Sequence, residues 1–350
     1  MIEVKISVSS PTWKSFRQTP GRKGIWENCR FHYDDTLDQY DFWVCNDWLT
    51  GVEHANCDST GTILMTGEPP SMKSYERRYT AQFSTVVTFR QDIDHPHIVR
   101  SQPALGWWVG KRLVPNPNGR HEFVEDSLID YDSLKSFDGS GKDQLISVVT
   151  SGKRIREGHK RRLAFVNELK NIFGGDISIF APGEMELVDK WDAIARYKYH
   201  IAIENSQYPD YWTEKLADSF LGLAYPFYYG CPNINEFFPS DSMTRIDIAK
   251  PRESAISIQD AIDNDVSNKA RGALIESKRL IMDEYNYFAT LSHICQGLKR
   301  SGRFRRTTIY PEGHHPLDWP INRAHDIGHL VKTPRKSFAS AQREIRKFRI

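Results

Sequence analysis

Residues 203–230 read IENSQYPDYWTEKLADSFLGLAYPFYYG. The stretch opens at the end of an apolar run, Tyr199-His200-Ile201-Ala202-Ile203, that reads as a strand. A polar and aromatic loop through Glu204, Asn205, Ser206, Tyr208, Pro209, Asp210 and Tyr211 follows. From Glu214 the spacing turns helical, with Leu216, Phe220 and Leu223 on one side, and a second apolar run covers 224–229. Strand, loop, helix, strand is the unit of parallel sheets, so this part of the chain is expected to be α/β.

Lys215 is the odd residue. A helix N-terminus carries partial positive charge, so a cation in the first turn costs about 0.3–1 kcal/mol. Thr213 suits the cap and Glu214 the first turn. Two readings explain the lysine. One is an ordinary surface helix with a solvated side chain. The other is a bound anion, such as a phosphate, shared by the ammonium and the free backbone N–H groups.

Glu204-Asn205-Ser206, followed by Asp210-Tyr211-x-Thr213-Glu214-Lys215, resembles the signature of glycosyltransferase family 10, the α1,3/α1,4-fucosyltransferases. The spacing from the asparagine to the lysine fits without a gap. The likeness continues through Leu216, Asp218, Tyr225-Pro226, Gly230, Asn233-Ile234 and Phe237 to Ser242. It covers the middle of the chain well and the N-terminal part loosely. It implies an α/β chain of GT-B type, two Rossmann-like doubly wound domains facing a cleft, with GDP-fucose as donor and a glycan hydroxyl as acceptor.

A length of 350 residues allows two domains that each bury a core. Aromatic residues make up 12%, with nine Trp, which suits sugar-handling surfaces although aromatics more often fill cores. The five cysteines, Cys29, Cys45, Cys57, Cys231 and Cys295, stand in no metal spacing and read as reduced thiols of a cytosolic protein. The opening MIEVKISVSS reads as a strand and not a signal peptide, and no run approaches the ~20 apolar residues of a membrane span. Animal members of the family resembled are typically membrane-anchored in the Golgi; this chain reads as the bacterial type. Charge is uneven: residues 299–350 hold thirteen Lys+Arg against four Asp+Glu, a net of +9, so with +2 overall residues 1–298 carry −7.

Strand patterns at 1–9, 40–46, 61–66 and 85–89, with a short helix expected over 72–83, give a first βαβ series. Residues 101–126, rich in Pro, Gly and Asn, read as loop, and 137–142 as a linker. A second series has strands at 146–150, 177–180 and 199–203, and 243–248 closing the sheet. Its helices are expected at 158–173, 190–196, 257–264 and 268–298. The domains expected are therefore 1–138 on the acceptor side, 143–300 for the nucleotide sugar, and a basic tail at 301–350.

Inverting sugar transfer needs a base for the acceptor hydroxyl and a cationic site for the leaving diphosphate. The basic run 151–162, between a strand and a helix, has the placement of an anion-binding loop, although most such runs are solvated faces. The resemblance points to Arg162, three residues before Phe165, as the donor-diphosphate contact. Because Thr150-Ser151-Gly152 departs from the family's pattern in this loop, Arg154, Arg156 and Arg161 stay open as alternatives. Glu68, in a Gly-Glu-Pro-Pro-Ser turn directly after a strand, matches the position assigned as general base. A water-exposed turn glutamate is the plain alternative, with Asp47 and Asp35 as weaker candidates for the base. By the same resemblance Glu214 would bond hydroxyls of the donor, and Asn205 and Tyr211 would line the nucleotide pocket. Tyr211 could equally pack against its loop, and Glu204 could merely brace it.

His95-Pro96-His97 and His314-His315 lack a third ligand at metal spacing, and no Asp-x-Asp pair stands near the motif, so no metal and no cofactor beyond the donor is expected. In 337–350, Phe338, Ala341, Ile345 and Phe348 share a face away from Arg343, Arg346, Lys347 and Arg349. That is a basic amphipathic helix, suited to an anionic membrane surface or to packing across the domains. No nucleic-acid motif accompanies the charge. The expectation is a cytoplasmic enzyme, peripheral at the inner membrane face: an inverting α1,3-fucosyltransferase using GDP-fucose. Its rivals are another nucleotide-sugar donor on the same fold and a non-catalytic nucleotide- or glycan-binding protein.

Overall fold

A computed structural model describes residues 1–10, 14–34, 36–104, 106–115, 121–124, 129–150, 157–181, 184–185 and 187–314. The expected helix at 337–350, Asp35, Arg154, Arg156 and His315 lie outside the described residues.

The N-terminal unit is built on β1 (Ile2–Ser7), β2 (Ile25–Trp26), β3 (Cys29–His32), β4 (Phe42–Asn46), β5 (Glu53–Asp58), β6 (Thr62–Met65), β7 (Thr85–Thr88) and β8 (Ile98–Arg100), with the one-turn helix α1 (Arg77–Thr80) before β7. Seven strands form one sheet in the order β2-β3-β1-β4-β6-β7-β8, parallel except for β2 against β3. Every residue of β6 and β7 is buried, which is why they read as continuous apolar runs and not as alternation. Next come the hairpin of β9 (Arg112–Pro115) and β10 (His121–Val124), and α2 (Tyr131–Ser136), opened by a capping box from Asp130. The hairpin falls in the segment read as loop from its Pro, Gly and Asn content. Of the helix expected over 72–83, only α1 forms.

The C-terminal unit comprises β11 (Gln144–Val149), α3 (Glu157–Phe173), β12 (Ile177–Phe180), β13 (Tyr197–Ile203), α4 (Glu214–Leu221), β14 (Tyr225–Tyr229), β15 (Thr244–Arg245), α5 (Pro251–Asp263), α6 (Val266–Lys269) and α7 (Arg271–Asp283). Its strands run parallel in the order β12-β11-β13-β14-β15. Phe165 and Leu169 of α3, Leu216 and Phe220 of α4, and Leu274 and Ile281 of α7 close a core over Ile146, Val148, Ile201 and Phe227. The linker residue Lys142 donates to the carbonyl oxygens of Tyr197 at 2.7 Å and Gly222 at 2.8 Å, tying the entry of this unit to β13 and to the end of α4. Two doubly wound α/β units make up the fold, the GT-B layout the sequence leads one to expect. In such sheets ligands sit beyond the carboxyl ends of strands where the order reverses, here β11 and β13.

The chain then returns to the first unit. In α8 (Tyr287–Gly297), Phe288, Leu291 and Ile294 pack on Val4, Ile6, Phe31 and Val44. The long helix expected over 268–298 is thus broken at 284–286, where Asn286 caps α8 and donates to the Gln18 carbonyl at 2.8 Å. Beyond it, β16 (Phe304–Ile309) pairs antiparallel with β5. Residues 287–309 therefore pack with the N-terminal unit, although 287–300 fall in the segment assigned from sequence to the nucleotide-sugar domain.

Asp58 at the end of β5 fixes this return. Its carboxylate accepts from the backbone N–H and hydroxyl of both Thr60 and Ser301, and from Gly302 N at 2.7 Å. Burial would raise its pKa, but these donors overcome it and hold the carboxyl at about 2 against an ordinary 3.8. A depressed carboxyl contributes stability above its unfolded pKa, here about 2–3 kcal/mol, and loses it as pH falls toward 2. Urea unfolding across pH 5 to 2 should show a decline in wild type that Asp58→Asn flattens; parallel profiles would remove Asp58 from the acid response.

Candidate active site

The carboxyl end of β13 delivers Glu204 and Asn205. Glu204 is 1% exposed, and its carboxylate accepts from Thr213 N at 2.8 Å and from the Thr213 hydroxyl at 2.8 and 2.9 Å. Thr213 in turn caps α4, its oxygen accepting from Lys215 N at 3.3 Å. Glu204 therefore does brace the loop, and it does more, because Lys215 Nζ lies 3.5 Å from it and 3.0 Å from Glu214. Burial would lower the lysine's pKa, but the two carboxylates raise it above its ordinary value and keep it charged. In Glu214 the cations Lys215 and Lys190 outweigh burial and lower the pKa; in Glu204 burial wins and raises it. The cation at the helix start thus has two protein carboxylates as partners, an explanation the sequence reading lacked.

Arg162, on α3 and 5% exposed, donates through Nη1 to Asn205 Oδ1 at 2.6 Å. The close approach needs Gly158: a Cβ there would meet the Asn205 carbonyl oxygen at 2.3 Å. Arg161, the described alternative, instead points outward and pairs with Glu157 at 3.3 Å, both side chains well exposed. Below this layer Asp218 is fully buried against Lys190 at 2.9 Å, and Lys190 also donates to the Glu214 carbonyl oxygen at 3.2 Å. That pair was not singled out from sequence, although Asp218 sits four residues after Glu214 on the same helix.

Across from this cluster, Glu68 leaves the carboxyl end of β6. It is half-buried, and its carboxyl is pushed up to about 7, first by burial and then by Asp47, with Lys215 pulling it down and Glu214 adding to the rise. Asp47 follows β4, the neighbouring strand, in a left-handed conformation at φ 54°. Its Oδ1 accepts from Gly67 N at 2.7 Å and from the Tyr75 hydroxyl. The loop is braced from behind by Arg90, 3% exposed, which donates to the carbonyls of Glu68 at 3.1 Å and Lys73 at 2.6 Å and forks onto Asp92. Arg90 was missed in the sequence; its signal was its position just past the apolar Thr85–Phe89 run, at the end of the strand beside β6.

The two units touch at this point. Ser71 and Ser206 hydroxyls lie 2.7 Å apart, and the Tyr211 ring packs on Phe89 at 5.1 Å between centroids. Tyr211 is 5% exposed. Of the two roles open for it, packing is the one its contacts occupy, and the surface it packs on belongs to the other unit. All six candidate residues, Glu68, Arg162, Asn205, Tyr211, Glu214 and Lys215, gather at facing carboxyl ends of the two sheets. Among the described residues no three His, Cys, Asp or Glu side chains stand together as a metal group, and no helix is long and apolar enough to cross a membrane.

Residues 140–267 match the family described as glycosyltransferase family 10 (fucosyltransferase), C-terminal part. Over that span, less than half of its length, the chain is similar to glycosyltransferase family 10. The matched span holds five of the six site residues and excludes Glu68. Among curated relatives, a fucosyltransferase-like protein of Arabidopsis thaliana is 47% identical over 60 residues, 17% of this chain and 12% of that protein. The GDP-fucose protein O-fucosyltransferase 3 of Bos taurus is 35% identical over 86 residues, 24% of this chain and 18% of that protein. The chain thus spans less than a fifth of the length of either relative. Among solved structures, an α1,3-fucosyltransferase aligns at 16% identity over 77% of this chain and 81% of its own, with a TM-score of 0.47. An α1,3-fucosyltransferase with GDP-fucose aligns at 13% over 85% and 91%, with a TM-score of 0.46.

Proposed function

We propose that this chain is an inverting fucosyltransferase that moves fucose from GDP-fucose to a glycan hydroxyl. The observation that carries the proposal is the facing of Glu68, a carboxyl that titrates at about 7, and the Arg162–Asn205–Lys215 cluster at the switch point of the other sheet. A half-protonated carboxylate near neutral pH can take the acceptor proton, and a cationic cluster can stabilise the departing diphosphate. Inversion follows if the base and leaving group lie on opposite sides of the anomeric carbon, as their placement on opposite units favours. GDP-fucose as donor accords with the family matched over 140–267 and with the name of the Bos taurus relative.

The deciding experiment is release of GDP from GDP-fucose in the presence of a panel of glycan acceptors. Before that, GDP at 100 times its dissociation constant should stabilise the protein by ~2.7 kcal/mol, read as a rise in melting temperature. A melt shifted by UDP-sugars and not by guanosine nucleotides would reject the donor. Because side-chain cations take the leaving-group charge in this proposal, EDTA should leave turnover intact; loss of activity with EDTA and its return with manganese would overturn that part.

A further inference from the structure

A cavity of about 430 Å³ opens on the N-terminal unit away from Glu68. Its walls are the connections that leave the carboxyl ends of β1 and β3, so it lies on the same edge of the sheet as the Glu68 loop. In the sheet order β3 is separated from β6 by β1 and β4, three strand spacings, or ~14 Å. That is a distance an oligosaccharide can span.

Two half-buried rings, Phe16 and Tyr33, line the cavity with centroids 4.8 Å apart. The floor under Phe16 is made by Gly24, at φ +62°, where a Cβ would come within 2.8 Å of the ring. Around the rings stand Lys14 and Arg22 and one lining carboxylate, Asp34, while Arg17, 4% exposed, is turned away to donate to the backbone carbonyls of Trp107 at 2.8 Å and Ile129 at 3.2 Å. Lys14 Nζ pairs with Asp34 at 2.6 Å and lies 6.0 Å from the centre of the Tyr33 ring; Arg22 pairs with Asp130 at 2.7 Å. The Lys14–Asp34 pair is well exposed on both sides, so it is weak and can be exchanged for another anion. Aromatic faces bind the apolar faces of sugar rings, and lysine and arginine bind carboxylate, sulfate or phosphate.

We propose that this cavity is a distal acceptor subsite for an anionic sugar residue of the glycan. The inference rests on the acceptor reading of the site above and adds the class of substrate.

The test is equilibrium binding, by saturation-transfer NMR, of two disaccharides that differ only in a terminal glucuronide or glucoside. The expected result is about tenfold tighter binding of the glucuronide, a factor worth one charge-assisted hydrogen bond, reduced as salt rises. Lys14→Ala with Arg22→Ala should abolish the difference between the two sugars. Tyr33→Ala should weaken both. Melting temperatures of the variants check that the fold is kept. Equal binding of the two disaccharides, or a preference unchanged in the double variant, would overturn the subsite. The GDP-induced melting shift is read in parallel: its absence defeats the donor reading and leaves the cavity result standing, whereas its presence with no sugar preference defeats only the subsite.

Discussion

Glu68→Gln should lower kcat by roughly 10²–10⁴-fold, the range for loss of a general base, while the rise in melting temperature with GDP stays as in wild type. The split follows from the geometry. Glu68 belongs to the N-terminal unit, and Arg162, Asn205 and Lys215 to the other, so the amide leaves in place the side chains that would contact a nucleotide. The pH profile carries the same assignment. The base must be deprotonated, and burial with Asp47 pushes Glu68 up to about 7, so kcat/KM should climb with pH and level off above that value. Asp47→Asn removes the negative charge that adds to this rise. The Glu68 pKa should then fall and the limb move to lower pH. Near-normal turnover in Glu68→Gln would pass the base to another carboxylate, with Asp47 the nearest by charge. A limb that does not move in Asp47→Asn would remove Asp47 from the causes of the raised value.

Lys215→Ala should cost more in stability than any single surface contact, about 3–5 kcal/mol, because it leaves the buried Glu204 and Glu214 carboxyls without their shared cation. GDP binding should be lost with it. Chemical denaturation of Lys215→Ala, and of Lys215→Ala with Glu214→Gln, separates the two effects. The second change removes one of the stranded charges and should recover part of the stability without recovering GDP binding. Stability of Lys215→Ala within about 0.5 kcal/mol of wild type, the range of ordinary surface substitutions, would return the lysine to the solvated reading. Full recovery of GDP binding in the double variant would make the lysine a structural cation only.

Much of the site was legible because its residues lie in one short stretch. Asn205, Tyr211, Glu214 and Lys215 fall within a strand, a loop and the first turn of a helix, and local spacing places them together. Arg162 needed a second strand–helix junction, and the parallel pairing of β11 with β13 brings it to Asn205. Asp47, Arg90 and the buried Asp218–Lys190 pair were not legible as a set. Each is an ordinary charged residue in its own segment, and only sheet order makes them neighbours. Composition misled at 101–126, where Pro, Gly and Asn concealed a hairpin. It misled again at 284–286, where a helical pattern on both sides concealed the point at which the chain leaves one unit for the other.

The sequence by itself determined that the chain is α/β with two sheet-building halves, since runs of buried β-branched and aromatic residues alternating with helical spacing admit no other layering. It also determined the chemistry available at the end of β13, because the motif is contiguous. Only the tertiary structure decided what those charges meet. Lys215 finds two carboxylates, Tyr211 finds Phe89 of the other unit, and Glu68 acquires its raised pKa from burial and from Asp47. Only the fold, too, returned 287–309 to the first unit through α8, β16 and the Asp58 staple. The physical reason is the range of the interactions. Backbone propensity and capping act over a few residues and are written in local order, whereas desolvation and charge pairing depend on distance in space, which here joins residues more than two hundred positions apart, such as Asp58 and Gly302.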